Sequence, residues 1–361
     1  MSKITSDNTQ FDHANAAFSS EEKNISLPGG PESGYTDLRK ASKSSIKEMP
    51  QMHKKRGLRI QNKLLRECMA ECLGTFILMI FGNGSVAQTV LSKGGDGNYL
   101  TIYWGYGIGV AMGVYVAGGV SGAHLNPAVS LAMSVVGRLE WKKLPLYVLW
   151  QVIGAFLSAP VVYGIYYDAL EAFDGGERQV FGPNATASIF ATYPKEYLSL
   201  VNGVFDQIFG TAVLLCGVFA ITDNRNNKPP SGMEPLLVGL LVFALGNSYG
   251  TNCGYAINPA RDFGPRLFTA MAGWGGDVFT APKGQNWSWW WVPILGPLMG
   301  GVLGAFVYLF VVGLHWPPPE TPLSEKKEAN STEIVTHSPR NPSAEFSNHE
   351  ESSLIVQAQK L

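Results

Sequence analysis

Charge is scarce in this chain. Only 15% of its 361 residues are Asp, Glu, Lys or Arg, 46% are hydrophobic, and the formal net charge is −1. Soluble domains carry roughly 25% charged residues. The length alone would allow two soluble domains, but this composition overrules that prior. A near-zero charge balance also argues against a nucleic-acid partner, which asks for a basic face. Cysteine is scarce as well. Cys68, Cys72, Cys216 and Cys253 are the whole set, and no Cys-x-x-Cys occurs. That leaves no disulfide framework and no zinc or other metal site, so the four read as small apolar residues. The first 60 residues lack an apolar h-region, so no cleaved signal peptide is expected. No nucleophile–base pair stands near any distinctive motif, so neither an enzyme nor a cofactor is expected.

What the chain has in plenty is uncharged apolar sequence. A bilayer crossing takes ~20 residues, and six runs suffice: Cys68–Leu91, Tyr99–Val120, Leu144–Tyr167, Asn202–Thr222, Met233–Tyr249 and Trp289–Leu314. Two further pieces, Ala128–Val136 and Ala260–Ala272, are too short to cross. They make sense as segments that dip in and return, their irregular parts buried in protein or lining a water-filled path. A polar, acidic loop is expected from Asp168 to Leu200, and polar tails flank this region. The expected division is a disordered cytoplasmic tail at 1–62, a transmembrane domain at 63–316 with repeats at 63–168 and 200–316, and a second disordered tail at 317–361. Arg39-Lys40-Ala41-Ser42 in the first tail matches a basic-directed phosphorylation site.

Each short piece opens on the same motif. Gly122-Ala123-His124-Leu125-Asn126-Pro127-Ala128 and Gly254-Tyr255-Ala256-Ile257-Asn258-Pro259-Ala260 share Gly-x-x-x-Asn-Pro-Ala. Asn is a good N-cap, and Pro fits the first helical turn because its missing N–H costs nothing there. The halves echo each other elsewhere: Glu71-x-x-Gly74-Thr75 corresponds to Gln207-x-x-Gly210-Thr211. Three spans per half is odd, so the second half must be inverted. The expected fold is therefore an all-α membrane protein with six transmembrane helices and two re-entrant half-helices in an inverted 3+3 repeat. Such a fold places its working site near the midplane, where the two motifs meet.

Basic residues fix the expected orientation. His53-Lys54-Lys55-Arg56 precedes the first span, Arg138, Lys142 and Lys143 follow the second, and Arg225 and Lys228 follow the fourth. By the positive-inside rule both termini are cytoplasmic. Asn184-Ala185-Thr186 and Asn286-Trp287-Ser288 then lie outside as N-glycosylation sequons, and Trp287, Trp289, Trp290 and Trp291 suit an outer aromatic belt.

Two half-helix N-termini meeting at mid-membrane make a positive spot. The amides of Asn126 and Asn258 can donate, and the carbonyls of Gly122, Ala123, His124, Cys253 and Gly254 can accept. Arg261 adds a fixed cation. Such a path suits small neutral hydrogen-bonding solutes and opposes cations and protons. A coupled secondary transporter shares the inverted layout but would need ion-coordinating acids in these two runs, which hold none.

The doubled Asn-Pro-Ala, Ser121-Gly122-Ala123-His124 before the first copy and Arg261-Asp262 after the second resemble the major intrinsic proteins over roughly residues 66 to 316. Asp262, Phe263-Gly264-Pro265-Arg266 and Pro297-Leu298 look like the glycerol-conducting branch, the aquaglyceroporins. The resemblance implies a right-handed six-helix bundle in the plasma membrane and a homotetramer with one pore per subunit. It also implies passive flux of water, glycerol and other small neutral solutes, urea among them. Carried onto this sequence, the family's narrow point falls on Tyr106, Gly246, Tyr255 and Arg261, with Trp104 the rival to Tyr106 if the register slips by two. Gly246 should leave room, while Tyr106 departs from the branch's usual Phe or Trp and brings its own donor. A water-selective channel is the near alternative.

Two single residues complete the expectations. Glu71, the lone charge in the first span, is expected to bond to the half-helix loop as a buried carboxylate, the alternative being a pH-sensitive proton relay or coupling site. His124 is expected to line the path with its carbonyl, and the further hypothesis is that its imidazole titrates between pH 5 and 8 and gates the cytoplasmic mouth.

Overall fold

The computed structural model of the chain describes residues 60–280 and 287–317. The phosphorylation match, the sequon at Asn286, the basic run at 53–56 and nearly all of both tails lie outside these residues. The described part is helical. Helix α1 is Lys63–Leu91, α2 Tyr99–Ser121, α3 Pro127–Val135, α4 Leu144–Ile165 and α5 Tyr167–Asp174. Then follow α6 Leu200–Thr222, α7 Glu234–Tyr249, α8 Pro259–Met271 and α9 Val292–Val311.

Local chemistry sets these starts and stops. Asn98 caps α2 in a reciprocal box with Thr101, satisfying two donors that a helix start leaves orphaned. Asn126 and Asn258 cap α3 and α8 with Pro in the first turn. Gly122 ends α2 in the left-handed conformation at φ 85°, which glycine adopts without a Cβ penalty. Helices α2, α4, α6 and α9 are each long and apolar enough to cross a membrane by length and composition. Helix α1 has the length, with 29 residues, but buries Glu67 and Glu71. Helix α7 has only 16 residues, about 24 Å of rise, and non-helical chain continues beyond it.

The packing repeats with the same symmetry as the sequence. Helix α1 packs on α2 and α4, and α6 packs on α7 and α9. Each half-helix then lies against the closing helix of the other half, α3 on α9 and α8 on α4. Small residues permit the close approaches. A Cβ on Gly154 would stand 2.2 Å from the carbonyl oxygen of Cys72, and one on Gly300 would stand 2.2 Å from that of Ile208. Cys72 follows Glu71 and Ile208 follows Gln207, so the two contacts are symmetry mates. In membranes such backbone contact replaces the hydrophobic drive that helices have in water.

Three expectations are corrected. The segment 168–200 is not plain loop: α5 and a 3₁₀ turn at Ala187–Ile189 lie in it, tied by Arg178 to Asp174 and Glu171. The last helix runs Val292–Val311, shorter at both ends than Trp289–Leu314, because a turn precedes it and a 3₁₀ turn at Gly313–His315 follows. Trp289 is not a belt residue. It is buried, its indole N–H donates to Thr192 Oγ1 at 3.2 Å, and it packs on Gly203.

Candidate functional site

The two irregular runs before the half-helices have the same backbone. Positive φ occurs at Gly122, Ala123 and Leu125 in one, and at Gly254, Tyr255 and Ile257 in the other. Outside glycine this region costs ~1–3 kcal/mol per residue and persists only where the surroundings enforce it. Here α1 and α6 enforce it. Glu71 Oε1 accepts the His124 N–H at 3.0 Å and the Ser121 hydroxyl at 2.6 Å, and Oε2 accepts the Leu125 N–H and the Gln151 amide, both at 2.8 Å. In the second half, Gln207 Oε1 accepts the Ile257 N–H at 3.0 Å. Thr75 and Thr211 each bond the carbonyl of that key residue at 2.7 Å.

The motifs also hold each other. Asn126 Nδ2 donates to the carbonyl of Ile257, and Asn258 Nδ2 donates to that of Leu125, each at 2.9 Å. Their Oδ1 atoms accept the N–H groups of Ala128 and Ala260 at 2.8 and 3.0 Å. An amide has two N–H donors, so one hydrogen crosses between halves and one is left on each asparagine.

Three cavities run in series past this junction. The inner one, about 480 Å³, is lined by Gly122, Ala123, His124 and Asn126 among others. A neck of about 40 Å³ is shared by Asn126, Asn258, Tyr106, Tyr255 and Arg261. The outer cavity, about 200 Å³, includes Tyr106, Cys253, Gly254, Tyr255 and Arg261. Adjacent cavities share lining residues, so they trace one path whose tightest part carries two asparagine amides, two tyrosine rings and a guanidinium. At ~10–15 Å³ per water, the neck takes only a few waters at once.

The Arg261 guanidinium carbon lies 4.6 Å from the Tyr106 ring centroid, and its Nη1 donates to the Phe190 carbonyl at 3.4 Å. Tyr255 meets Tyr106 edge-on at 6.1 Å and Tyr103 at 5.5 Å. Gly246 does not line the path itself. A Cβ there would stand 2.6 Å from Tyr255 Cζ and 2.8 Å from Tyr103 Cδ1. The room that Gly246 leaves is filled by the Tyr255 ring. Trp104 stands away from the path, 41% exposed and stacked on Phe243 at 4.3 Å.

Asp262 likewise does not face the path. It is fully buried, accepting the Thr192 N–H at 2.7 Å and the Arg266 Nε–H at 2.9 Å. Arg266 in turn donates to the carbonyls of Thr192 and Val278 at 2.6 and 2.7 Å. This pair ties the outer segment that presents Phe190 to the half-helix that presents Arg261. The sequence reading missed Thr192, Phe190 and Arg266 as supports. The spacing Asp262-x-x-x-Arg266 on an apolar half-helix was an available signal; nothing local marked Thr192 or Phe190.

His124 lines the inner cavity, its Nδ1 3.0 Å from Ser130 Oγ and its ring 5.4 Å from that of Tyr147. Beyond the membrane-spanning part, hydrogen bonding to Glu67 raises the Lys143 ammonium above its ordinary value. Among the described residues no group of His, Cys, Asp and Glu could hold a metal ion.

The chain matches the profile of the family described as Major intrinsic protein over residues 59–308. It is 52% identical to Aquaporin-10 of Milnesium tardigradum over 271 residues, which is 73% of this chain and 66% of that protein. It is 50% identical to Aquaporin-9 of Homo sapiens over 279 residues, 77% of this chain and 93% of that one. Among solved structures it resembles that of the aquaglyceroporin from Plasmodium falciparum, with 31% identity and a TM-score of 0.62 over 69% of this chain and 97% of that chain.

Proposed function

Because this chain belongs to the major intrinsic protein family, a multi-pass membrane family of channels rather than enzymes, we propose that it is a passive channel for water, glycerol and other small neutral solutes, with urea among them. The observation that carries this is the neck, where Tyr106 and Tyr255 give two ring faces and Arg261, Asn126 and Asn258 give hydrogen-bond donors. A polyol has a carbon backbone along one side and hydroxyls along the other, and this slot has the matching sides. Tyr106, Gly246, Tyr255 and Arg261 act together as the selectivity filter. Gly246 acts indirectly, by admitting the Tyr255 ring. Carbonyls of Gly122, Ala123, His124, Cys253 and Gly254 lie outside any helical ladder and serve as acceptors along the path. The two opposed half-helix N-termini and Arg261 repel cations and hydronium.

The wider assignments have separate support. Basic residues after α2 and α6 favour cytoplasmic termini, and the plasma membrane is the expected address. The solvent-exposed Asn184 then faces outward as a glycan acceptor. The outward apolar faces, with Leu73 and Phe81 on α1 and Phe205 and Phe209 on α6 exposed, suit lipid and the subunit contacts of a homotetramer. The test is stopped-flow light scattering on proteoliposomes under separate water and glycerol gradients. Both permeabilities should exceed those of empty liposomes, with glycerol flux indifferent to Na⁺ or pH gradients. Movement of water alone would make this a water-selective channel, and gradient-driven glycerol uptake would make it a coupled transporter.

A further inference from the structure

We propose that Asn83 is a specificity-determining residue of this channel: from α1, outside the path, it holds the Tyr106 hydroxyl away from the permeating solute. The inference rests on the reading of Tyr106 as a filter residue.

Tyr106 is fixed on three sides. Its hydroxyl donates to Asn83 Oδ1 at 3.0 Å. Its ring lies against Gly82, where a Cβ would come within 2.2 Å of Cε1, so only glycine seats the ring this deep. Over its face stands Arg261, 4.6 Å from the centroid. The phenol's one donor is therefore directed into the α1–α2 contact, and the neck receives the ring without the hydroxyl. Asn83 lines none of the three cavities and is fully buried, and its Nδ2 finds no partner. A buried amide left half unsatisfied is costly, and an apolar side chain would avoid that cost. What Asn83 offers in return is one acceptor, and Tyr106 uses it.

Remove that acceptor and the phenol must find another. Buried hydroxyls rarely stay unpaired, and the polar groups that share a cavity with Tyr106 are those of the neck, Arg261, Asn126 and Asn258. There it would narrow the path and compete for the donors and acceptors that a polyol needs. Water, being smaller and able to bridge a phenol, would suffer less. Asn83 and Gly82 thus form a seat that lets a tyrosine serve where a residue without a hydroxyl would otherwise be required. The same seat positions Arg261 through the ring beneath it.

The test measures the glycerol-to-water permeability ratio in proteoliposomes at equal channel density. Tyr106→Ala is the control on the filter itself: an unchanged ratio there would remove the filter reading and this inference with it. Given a changed ratio, Asn83→Leu should lower glycerol relative to water by about fivefold, equivalent to ~1 kcal/mol on the glycerol barrier. Adding Tyr106→Phe to Asn83→Leu should restore most of the loss, because the stray hydroxyl is gone. A merely structural role for Asn83 would not be rescued in this way. An unaltered ratio in Asn83→Leu, or a loss that Tyr106→Phe does not repair, overturns the proposal. Should Asn83→Leu fail to fold, the melting temperature of Tyr106→Phe alone decides. Loss of a protein-bonded hydroxyl lowers it by about 2–4 °C, whereas loss of one standing in the water of the path leaves it unmoved and refutes the seat.

Discussion

Gly246 is the position where the filter reading is most exposed to test. Substitution by Ala adds one methyl group, and its carbon would lie 2.6 Å from Tyr255 Cζ and 2.8 Å from both Tyr255 Oη and Tyr103 Cδ1. Carbon atoms pack at about 3.5–4.0 Å, so the Tyr255 ring must retreat by ~1 Å. It cannot retreat sideways, since Tyr103 and Tyr106 brace it edge-on at 5.5 and 6.1 Å. The free direction is into a neck of about 40 Å³. Overpacking of this kind typically costs ~1–3 kcal/mol. Placed on the permeation barrier, that is about a 5- to 150-fold fall in glycerol flux at 1.36 kcal/mol per tenfold. Water flux should fall less, because water needs less width. The assay is stopped-flow light scattering on Gly246→Ala and wild-type proteoliposomes matched for channel density. Glycerol flux within twofold of wild type would refute the reasoning. It would mean that Tyr255 does not bound the path, whatever its place in the cavity.

Glu71→Gln should destabilise the protein although it is nearly isosteric. The carboxylate accepts from two backbone N–H groups, a hydroxyl and an amide, and a Gln must turn an NH₂ toward some of these donors. With charged hydrogen bonds worth ~1.5–3 kcal/mol each, a fall in melting temperature of several degrees is expected by scanning fluorimetry, and an unchanged value would contradict the bonding described. His124, on the inner cavity beside Ser130 and Tyr147, should make glycerol flux pH-dependent between pH 5 and 8; a His124→Ala channel that keeps the wild-type profile rules this out. At the C-terminal end of α6, a hydrogen bond from Arg225 holds the Asp223 carboxyl well below the usual carboxylate range. A depressed folded-state value contributes stability that is present above about pH 4 and lost as pH falls below it. Asp223→Asn should therefore melt lower than wild type at pH 7, the gap closing under acid; a gap independent of pH would show that the charge is not involved.

Periodic and symmetric features were legible in the sequence. The duplicated Asn-Pro-Ala gave both half-helix starts because capping is a local matter of Asn and Pro geometry. The echo of Glu71-Gly74-Thr75 in Gln207-Gly210-Thr211 marked corresponding positions in the two halves, and there each threonine bonds the carbonyl one turn back. Contacts between distant segments were less legible. Gly246 could be read as vacant space, but not as space for Tyr255, since that depends on where α7 passes the second irregular run. Asp262 read from the sequence only as a mark of the glycerol-conducting branch, with no role beside Arg261. Helical geometry turns the next residue about 100° away, and there it meets Thr192 from a segment read only as polar loop. Trp289 joined a tryptophan-rich run that suits a membrane belt, yet one of those rings turned inward to cover Gly203.

The two halves differ where symmetry would have been easiest to keep. At equivalent places one loop is held by a carboxylate and the other by a neutral amide. Glu71 takes four protein donors with two oxygens. Gln207 takes only the Ile257 N–H on its oxygen and turns its own Nε2 toward Cys253 and Asp206, at 3.1 and 3.2 Å. The charge in the second half has moved one residue, to Asp206, which also takes the Asn252 amide at 2.9 Å. That displacement suits the path. Arg261 already stands in the second half, and a carboxylate in Gln207's place would sit behind the same loop and draw on the positive field that the guanidinium and half-helix supply. In the first half the carboxylate of Glu71 is taken up by four protein donors at the loop it braces. The inverted repeat thus supplies the geometry of the pore, and its polarity arises where the repeat is broken, at Glu71 against Gln207 and at Arg261.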